Sequence, residues 1–430
     1  MTISDFQGLL NSFFPVFSEP STIIFARLAI GWILCPARRT ITGIIPFADP
    51  DGEKCHDAYH RFFRAGAWAT KQLYKQLLKI LVSTFSNGEI IYLITDDSVL
   101  KKTGRKVDGA KMNRDAVHST KNKVVTVWGL HFVPLCIRIA SPFGGEPLAL
   151  PINFRLKRKD GPTLPELVVE MLIDVAGWLP EKSFVLTADG AYACLAGKEL
   201  TRTQIVSRMR RDAALYGLPP KRKSGKRGRP RKKGKRLPTP VEMAKKLKAR
   251  DWKKISADCR GKTKEYLVYC RLVVWYHVCS DCQIKLIIVR DTSGVQRDDF
   301  FFTTDLDMSA KEAVFEYNNR WAVEDTFRNI KQYLGAEQPQ CWSGLAPERV
   351  CAFANILYSF VWLWYIQCGW KPGSIKSTPW YPSKSKPSFI DAISCLREEL
   401  WRDRIKLSSS NGQEVDKILD ILVNALSRAV

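Results

Sequence analysis

The sequence predicts an α/β protein: one central sheet flanked by helices, preceded by a helical segment and interrupted by a β-rich insertion. Two observations predict this fold class. Apolar runs of strand length alternate with an amphipathic helix between residues 88 and 215, an order typical of α/β domains. A second strand-rich stretch follows only after a long polar interruption. The 430 residues, 45% of them hydrophobic, suffice for two or three domains or for one domain with a large insertion.

Residues 1–87 are predicted to form a helical N-terminal domain. Apolar side chains recur at i, i+3 and i+4 across residues 55–82, the spacing of an amphipathic helix. Basic and aromatic residues accompany them without an acidic cluster, which fits DNA binding and equally fits a bundle that only packs. His56 and His60 lie one helical turn apart and are interpreted as surface or core histidines rather than as a metal site.

Residues 88–215 are predicted to form the first part of the α/β domain. The apolar strand "EIIYLIT" ends at Asp96 and Asp97, and two further strands and a helix with Thr163 as its N-cap follow. A later strand, "SFVLTA", ends at Asp189, and "TQIVSR" is the last strand of this part. Reactive groups in α/β sheets collect beyond the carboxyl ends of the strands, so these aspartates are candidate site residues.

Residues 216–300 are predicted to be a basic linker followed by a small β-rich insertion. Eleven Lys or Arg residues and no acid lie between residues 219 and 236, so this run repels itself and cannot fold alone. Its centre, "RGRP", resembles an AT-hook, whose arginines enter the narrow minor groove of A·T-rich DNA. We expect DNA contact rather than a merely solvated linker, while selectivity for A·T stays open. The expected DNA-binding residues of the run are Arg227, Arg229, Arg231 and Lys232.

Cys279 and Cys282, within the insertion, are predicted to lie in a hairpin turn, because a zinc site would need a second pair of ligands. The twelve cysteines are scattered without framework spacing, which predicts reduced thiols and a cytoplasmic protein. No signal sequence is recognisable at the start of the chain.

Residues 301–345 are predicted to complete the α/β domain, and residues 346–430 to form a helical C-terminal region. The apolar run at 350–370 approaches the length of a membrane span. Three polar residues interrupt it, so the sequence predicts a buried helix and no membrane partner.

The charge balance predicts a polyanionic partner. Lys and Arg number 67 against 43 Asp and Glu, a formal net charge of +24. An excess of this size is unusual for a metabolic enzyme and favours nucleic acid over a membrane surface.

The helix predicted over residues 317–331 carries an unusual polar strip. At 100° per residue, four polar side chains fall within an arc of roughly 60° that borders the apolar face. They are Tyr317, Arg320, Glu324 and Lys331. An i,i+4 ion pair between Arg320 and Glu324 is the simple structural explanation. The functional explanation is a set of catalytic and phosphate-binding groups at the lip of a cleft.

Asp97, Asp189 and Glu324 form a second, long-range pattern. Three carboxylates gathered at one sheet edge cannot all stay ionised without cations. Their hard oxygen donors suit Mg²⁺ or Mn²⁺, and a pair of such ions catalyses phosphodiester displacement. Combined with the basic charge, the pattern predicts a metal-dependent site that acts on nucleic acid.

Three separated motifs, "TDDSVLKKTG", "LTADGAY" and Y-x2-R-x3-E-x6-K, together resemble the DDE transposases of bacterial insertion sequences, in the group with the YREK signature. The resemblance spans residues 88–335 and implies a ribonuclease-H-like catalytic domain with the insertion between the second aspartate and the glutamate. It implies that Asp97, chosen over Asp96, is catalytic with Asp189 and Glu324, and that these three hold two Mg²⁺ ions, for which Mn²⁺ can substitute. The residues it implies for DNA phosphate binding are Tyr317, Arg320 and Lys331.

The same resemblance implies a reaction and its partners. Double-stranded DNA, as element ends and target, would be the substrate of a homodimer located with the nucleoid in the cytoplasm. The ends would be cut, closed into a hairpin, reopened and joined to the target. Some relatives stack a flipped base on a tryptophan. Here three alternatives are open: Phe300 takes that role, Trp275 takes it, or the hairpin step differs. Two alternatives remain: an inactive DNA-binding protein of the same fold, and an endonuclease that cuts without joining.

Overall fold

The computed structural model describes residues 6–408, except residues 87, 116–117, 121, 221–230, 281, 372, 374 and 376–378. The AT-hook-like centre of the basic run, with Arg227 and Arg229, lies outside the described residues.

One mixed sheet of eleven strands forms the centre of the described structure. In chain order the strands are β1 (Ile90–Thr95), β2 (Ser98–Lys101), β3 (Lys111–Arg114), β4 (Thr126–Ile139), β5 (Leu148–Leu156), β6 (Ser183–Ala188), β7 (Thr203–Arg208), β8 (Lys253–Cys259), β9 (Lys262–Val273), β10 (Ile284–Asp291) and β11 (Asp299–Thr303). They are ordered β2-β4-β1-β6-β7-β11-β10-β9-β8, and β3 and β5 also pair with β4. β1, β6 and β7 run parallel to one another, and β4 runs antiparallel to β1. The predicted ribonuclease-H-like α/β fold is confirmed.

Helices precede, interrupt and follow the strands. They are α1 (Phe6–Asn11), α2 (Glu19–Leu34), α3 (Ile41–Ala48), α4 (His56–Ala65), α5 (Thr70–Phe85), α6 (Leu164–Trp178), α7 (Pro240–Lys246), α8 (Ala310–Asn318), α9 (Ala322–Gln332), α10 (Ala346–Trp364) and α11 (Phe389–Ser408). α6 begins where the sequence predicts, after Thr163, whose backbone N–H donates to the Glu166 carboxylate at 2.7 Å in a capping box.

The N-terminal helices share one hydrophobic core with the sheet and with α10. The Trp32 indole of α2 donates to the carbonyl of Leu334 at 2.7 Å, and the Tyr74 hydroxyl of α5 donates to the carbonyl of Ala352 at 3.1 Å. The buried guanidinium of Arg349 in α10 donates to the carbonyl of Gly66, just beyond α4, at 2.9 Å. Any surface that these helices present is therefore held in a fixed position relative to the sheet.

The apolar run near the C-terminus is a core helix. Within the described part of the chain, Ala346–Gly369 is long and apolar enough to cross a membrane, but 89% of its most apolar window is buried inside the protein. The predicted buried helix is confirmed.

The β-rich insertion extends the central sheet. β11 pairs with β7, and β10, β9 and β8 follow outward in antiparallel order. Cys279 and Cys282 lie in the connection between β9 and β10, as predicted. Their Cα atoms lie 5.6 Å apart, so the two side chains face each other within this connection. Because the insertion and the catalytic part share one sheet, the insertion is anchored rigidly beside the strand ends.

Candidate active site

Two aspartates meet at the carboxyl ends of neighbouring parallel strands. β1 and β6 are paired as far as Thr95 and Ala188. The next residues along each strand, Asp96 and Asp189, therefore lie side by side at one edge of the sheet.

Asp96 and Asp97 point to opposite faces of that sheet. β1 and β2 pair with β4 in one continuous register, and successive side chains of a strand alternate between faces. Both oxygens of Asp97 accept hydrogen bonds, from His131 Nε2 at 2.7 Å and from the Tyr192 hydroxyl at 2.8 Å. Asp96 instead accepts a hydrogen bond from Arg320 at 2.5 Å. Of the two aspartates, it is Asp96 that faces the segment carrying the signature residues.

The signature segment is not one continuous helix. α8 ends at Asn318, a 3₁₀ turn spans Asn319–Trp321, and α9 begins at Ala322. A 3₁₀ turn winds more tightly than an α-helix, so the angles expected from a uniform helix do not hold through this turn.

Arg320 links the carboxylates of the site. Its guanidinium donates to Asp96 Oδ2 at 2.5 Å and to Glu324 Oε1 at 3.1 Å. The neighbouring Tyr317 hydroxyl donates to Asp189 Oδ1 at 3.3 Å. The structure therefore joins Asp189, Glu324, Tyr317 and Arg320 around Asp96, and places Asp97 behind them on the other face.

Lys331 lies at the far end of α9, against β2. Its Nζ donates to Ser98 Oγ at 2.8 Å. Lys102 directly follows β2. Its buried Nζ donates at 3.1–3.3 Å to three carbonyl groups of the backbone that follows α9, those of Ala336, Glu337 and Pro339. Hydrogen bonds thus join β2, the strand that follows Asp96 and Asp97, directly to α9 and to the segment after it.

Burial and charge perturb the carboxyl groups of the site. Burial raises the pKa of Asp96 to about 6; Arg320 opposes this rise, while Asp97 and Asp189 add to it. Burial also raises the pKa of Glu324, again against the effect of Arg320. Burial disfavours the charged form of Arg320, yet Asp96 and its other anionic neighbours outweigh that effect and raise its pKa. The cluster therefore requires a cation, and the Arg320 guanidinium supplies one.

The carboxylates at this sheet edge offer oxygen ligands, which are the ligands that hard divalent ions prefer. Among the described residues, no three His, Cys, Asp or Glu side chains stand at a spacing that would hold a metal ion. The guanidinium of Arg320 occupies oxygens of Asp96 and Glu324. A metal ion bound here would compete with Arg320 for those oxygens.

The aromatic residues expected to stack on a base are buried. Phe300 and Trp275 are 1% and 5% exposed, so that expectation is wrong: both pack in the core. Trp321, within the signature segment, is 38% exposed, and the Arg260 guanidinium lies 4.0 Å from the centre of its ring. Because Trp321 follows Arg320, which contacts Asp96 and Glu324, a partly exposed aromatic ring lies near the carboxylates.

A groove of about 530 Å³ adjoins the carboxylates on the side of the insertion. The turn between β8 and β9 delivers Arg260 to it, with Arg260 and Gly261 both in the left-handed backbone region at φ 54° and 70°. Tyr317 and Arg320 line the same groove together with Lys262 and Lys264. The insertion thus contributes positive charge next to the signature residues.

The end of the basic run is exposed and anchored. Arg231 and Lys232 are exposed. The Lys233 ammonium lies 4.0 Å and 3.8 Å from the ring centres of Tyr216 and Tyr276, a cation–π contact with each. Of the predicted DNA-binding residues of this run, Arg231 and Lys232 therefore lie next to a residue that is held against the insertion.

Sequence reasoning missed three residues that shape the site: His131, Tyr192 and Arg260. His131 and Tyr192 were recognisable only as members of a predicted strand and of the "LTADGAY" motif, because their contact with Asp97 depends on strand register. Arg260 had one usable signal, the following Gly261, which marks a turn.

Parallel strands ending in aspartates, beside a helix that supplies a glutamate and basic side chains, define a nuclease-type phosphoryl-transfer site. Two family models match the chain: residues 13–265 match the DDE superfamily endonucleases, and residues 265–346 match the archaeal transposases of the ISC1217 family. The first match covers more than half of the chain, which therefore belongs to the DDE superfamily. The second match, over a shorter segment, is to a transposase family, and together the two matches support a transposase or nuclease role. A search of curated proteins found no match. Enzymes of this superfamily act on DNA and use divalent metals.

Proposed function

We propose that this protein cuts the ends of a mobile DNA element and joins them to target DNA by two-metal phosphoryl transfer. The observation that carries the proposal is the meeting of Asp96, Asp189 and the Arg320–Glu324 pair at one sheet edge. A buried group of carboxylates is unfavourable without cations. A sheet edge with a purely structural role has no need of such a group of carboxylates.

We propose that Asp96, Asp189 and Glu324 are the metal ligands. The sequence alone favoured Asp97 in the place of Asp96. Asp96 lies beside Asp189 at the strand ends and shares the Arg320 guanidinium with Glu324, whereas Asp97 is hydrogen-bonded to His131 and Tyr192 on the other face. The three carboxylates would hold two Mg²⁺ ions, or Mn²⁺ in their place, which when bound activate the attacking oxygen and stabilise the leaving one.

The remaining signature residues would hold the DNA. The Arg320 guanidinium, which contacts Asp96 and Glu324, would bind a DNA phosphate in bidentate fashion. Lys331 provides a point charge, and the Tyr317 hydroxyl, which donates to Asp189, orients the same region. For the proposed hairpin step, carried out by a homodimer, Trp321 supplies the exposed ring on which a displaced base would stack.

Deletion of residues 219–236 is expected to weaken duplex binding and to flatten its salt dependence. The run carries eleven cations, and each lost phosphate contact lowers the slope of log K against log salt by about 0.9. Fluorescence anisotropy with a duplex at several salt concentrations measures this slope. An unaltered slope would show that the run does not touch phosphate.

An endonuclease that cuts without joining is the second candidate, because the larger family match carries that description. The test is a strand-transfer assay with supercoiled plasmid, Mg²⁺ and duplexes bearing the inverted repeats that flank the coding region. Joined products are expected. Cleaved ends without joining would favour the endonuclease, and binding without cleavage would favour an inactive DNA-binding protein.

A further inference from the structure

A two-stranded β-ribbon lies beside the Lys331 end of the site. β3 pairs with the first residues of β4, from Lys111↔Gly129 to Arg114↔Thr126. On its other side β4 pairs with β2 from Gly129 onward, and the Trp128 carbonyl accepts a hydrogen bond from the Lys102 backbone N–H at 3.1 Å. Thr126 and Val127 are the β4 residues that, among the described residues, pair with β3 alone. We call the described residues of the segments 102–115 and 122–128, that is without residues 116–121, the ribbon.

The ribbon and the adjoining end of β2 carry a positive charge that is not neutralised. Six cationic side chains of this region have no carboxylate partner within the part of the chain that the structure describes: Lys101, Arg105, Lys106, Lys111, Arg114 and Lys123. The two acids of the ribbon are engaged by other groups, Asp108 by Arg158 and Asp115 by His118. The field of the six cations therefore extends into solvent.

Apolar side chains accompany these cations at the surface. Met112 is 58% exposed and Val124 is 63% exposed. Apolar groups between cations suit a ligand that has both charged and apolar surface, such as the phosphates, sugars and thymine methyl groups of DNA.

The ribbon adjoins the catalytic groups through α9. Seven residues separate Glu324 from Lys331, a rise of roughly 10 Å along the helix. Lys331 contacts Ser98 at the start of β2, and Lys101 and Asp115 lie near enough to influence its charge state. DNA that passes the carboxylates and continues beyond Lys331 would therefore reach the ribbon.

We propose that the ribbon binds the DNA duplex that flanks the cut. A two-stranded β-ribbon fits the major groove, which is about 12 Å wide, and the six cations reach phosphates on either side of it. The identity of this DNA as the substrate rests on the proposed function, whereas duplex binding by the ribbon is measurable without it.

The test compares two double variants of the full chain that remove the same charge. Arg114→Ala/Lys123→Ala lies on the ribbon. The control, Lys182→Ala/Lys198→Ala, lies before β6 and β7, at the edge of the sheet opposite to Asp189. The probes are a 30-base-pair duplex of mixed sequence and one of its single strands. Their binding affinities are measured by fluorescence anisotropy in EDTA over a range of salt concentrations.

The ribbon variant is expected to lose at least about tenfold in duplex affinity and about 2 in salt slope, as expected for two phosphate contacts. The control is expected to stay within about twofold. A second ribbon variant, Arg105→Ala/Lys106→Ala, should repeat the loss with unchanged melting temperature. Equal losses in ribbon and control variants would overturn the proposal, since only bulk charge would then matter. An equal loss on the single strand would overturn the assignment to duplex.

The outcomes separate this proposal from the proposed function. If the wild-type protein cuts and joins DNA but the two double variants bind alike, the ribbon proposal fails alone. If the wild-type protein cuts no DNA but the variants differ as expected, the proposed function fails and the ribbon remains a duplex-binding surface.

Discussion

Asp189→Asn is expected to reduce DNA cutting by at least about 10³-fold, because loss of a metal-binding carboxylate removes several kcal/mol of transition-state stabilisation. Duplex binding should persist, since the cations that contact DNA are unchanged. The side chain keeps its size and can still accept the hydrogen bond of Tyr317, so the fold should be unaffected. Cutting of a labelled duplex in Mg²⁺ and anisotropy in EDTA measure the two properties separately.

The matched control for this experiment is Asp160→Asn, which makes the same chemical change at an exposed position. It should cut at the wild-type rate. Undiminished cutting by Asp189→Asn would show that Asp189 is not a metal ligand, and the proposed mechanism would then be wrong.

Asp96→Asn and Asp97→Asn are expected to differ widely in metal binding. Asp96→Asn should weaken Mn²⁺ binding by about 100-fold, because it removes a ligand from the face shared with Asp189 and Glu324. Asp97→Asn should retain Mn²⁺ affinity within about tenfold, as expected of a group that supports the ligands from behind. Electron paramagnetic resonance of free Mn²⁺ during titration gives both affinities without any cutting assay.

The reverse pattern would restore Asp97 as the ligand. It would mean that the strand turns over between its two aspartates when metal binds, breaking the contacts of Asp97 with His131 and Tyr192. Melting temperatures of both variants provide the folding control, since neither substitution changes side-chain volume appreciably.

Arg320 has a consequence for how the site operates. Its guanidinium pairs with both Asp96 and Glu324, and the same group is proposed to bind a DNA phosphate. The pairing lowers the high cost of burying unpaired carboxylates. A plain i,i+4 pair between Arg320 and Glu324 exists, as the simple explanation of the polar strip predicts, but Asp96 joins it from another part of the chain.

Much of the fold followed from local patterns. The strand that ends at Asp96, the strand that ends at Asp189 and the helix capped at Thr163 are visible in the sequence because apolar periodicity and capping depend on neighbours along the chain. The convergence of the two strand ends also follows, once a parallel arrangement is assumed, because parallel strands end at the same edge.

Other features depended on contacts between distant residues. Strand alternation predicts that Asp96 and Asp97 face opposite ways, but only pairing with β4 and the position of α9 show which of the two aspartates contacts Arg320. The sequence alone gives no measure of exposure. Burial in the core distinguishes Phe300 and Trp275, the residues considered for base stacking, from the partly exposed Trp321.

The amino-acid order alone determined the class of fold, the basic character of the molecule, and which acidic and basic residues were available for a site. Only the tertiary structure decided which aspartate joins Asp189 and Glu324, that the insertion continues the sheet, and that a cationic ribbon stands beside Lys331. The physical reason is range: backbone preference and periodicity act within a few residues, whereas register, burial and charge compensation are set by groups far apart along the chain.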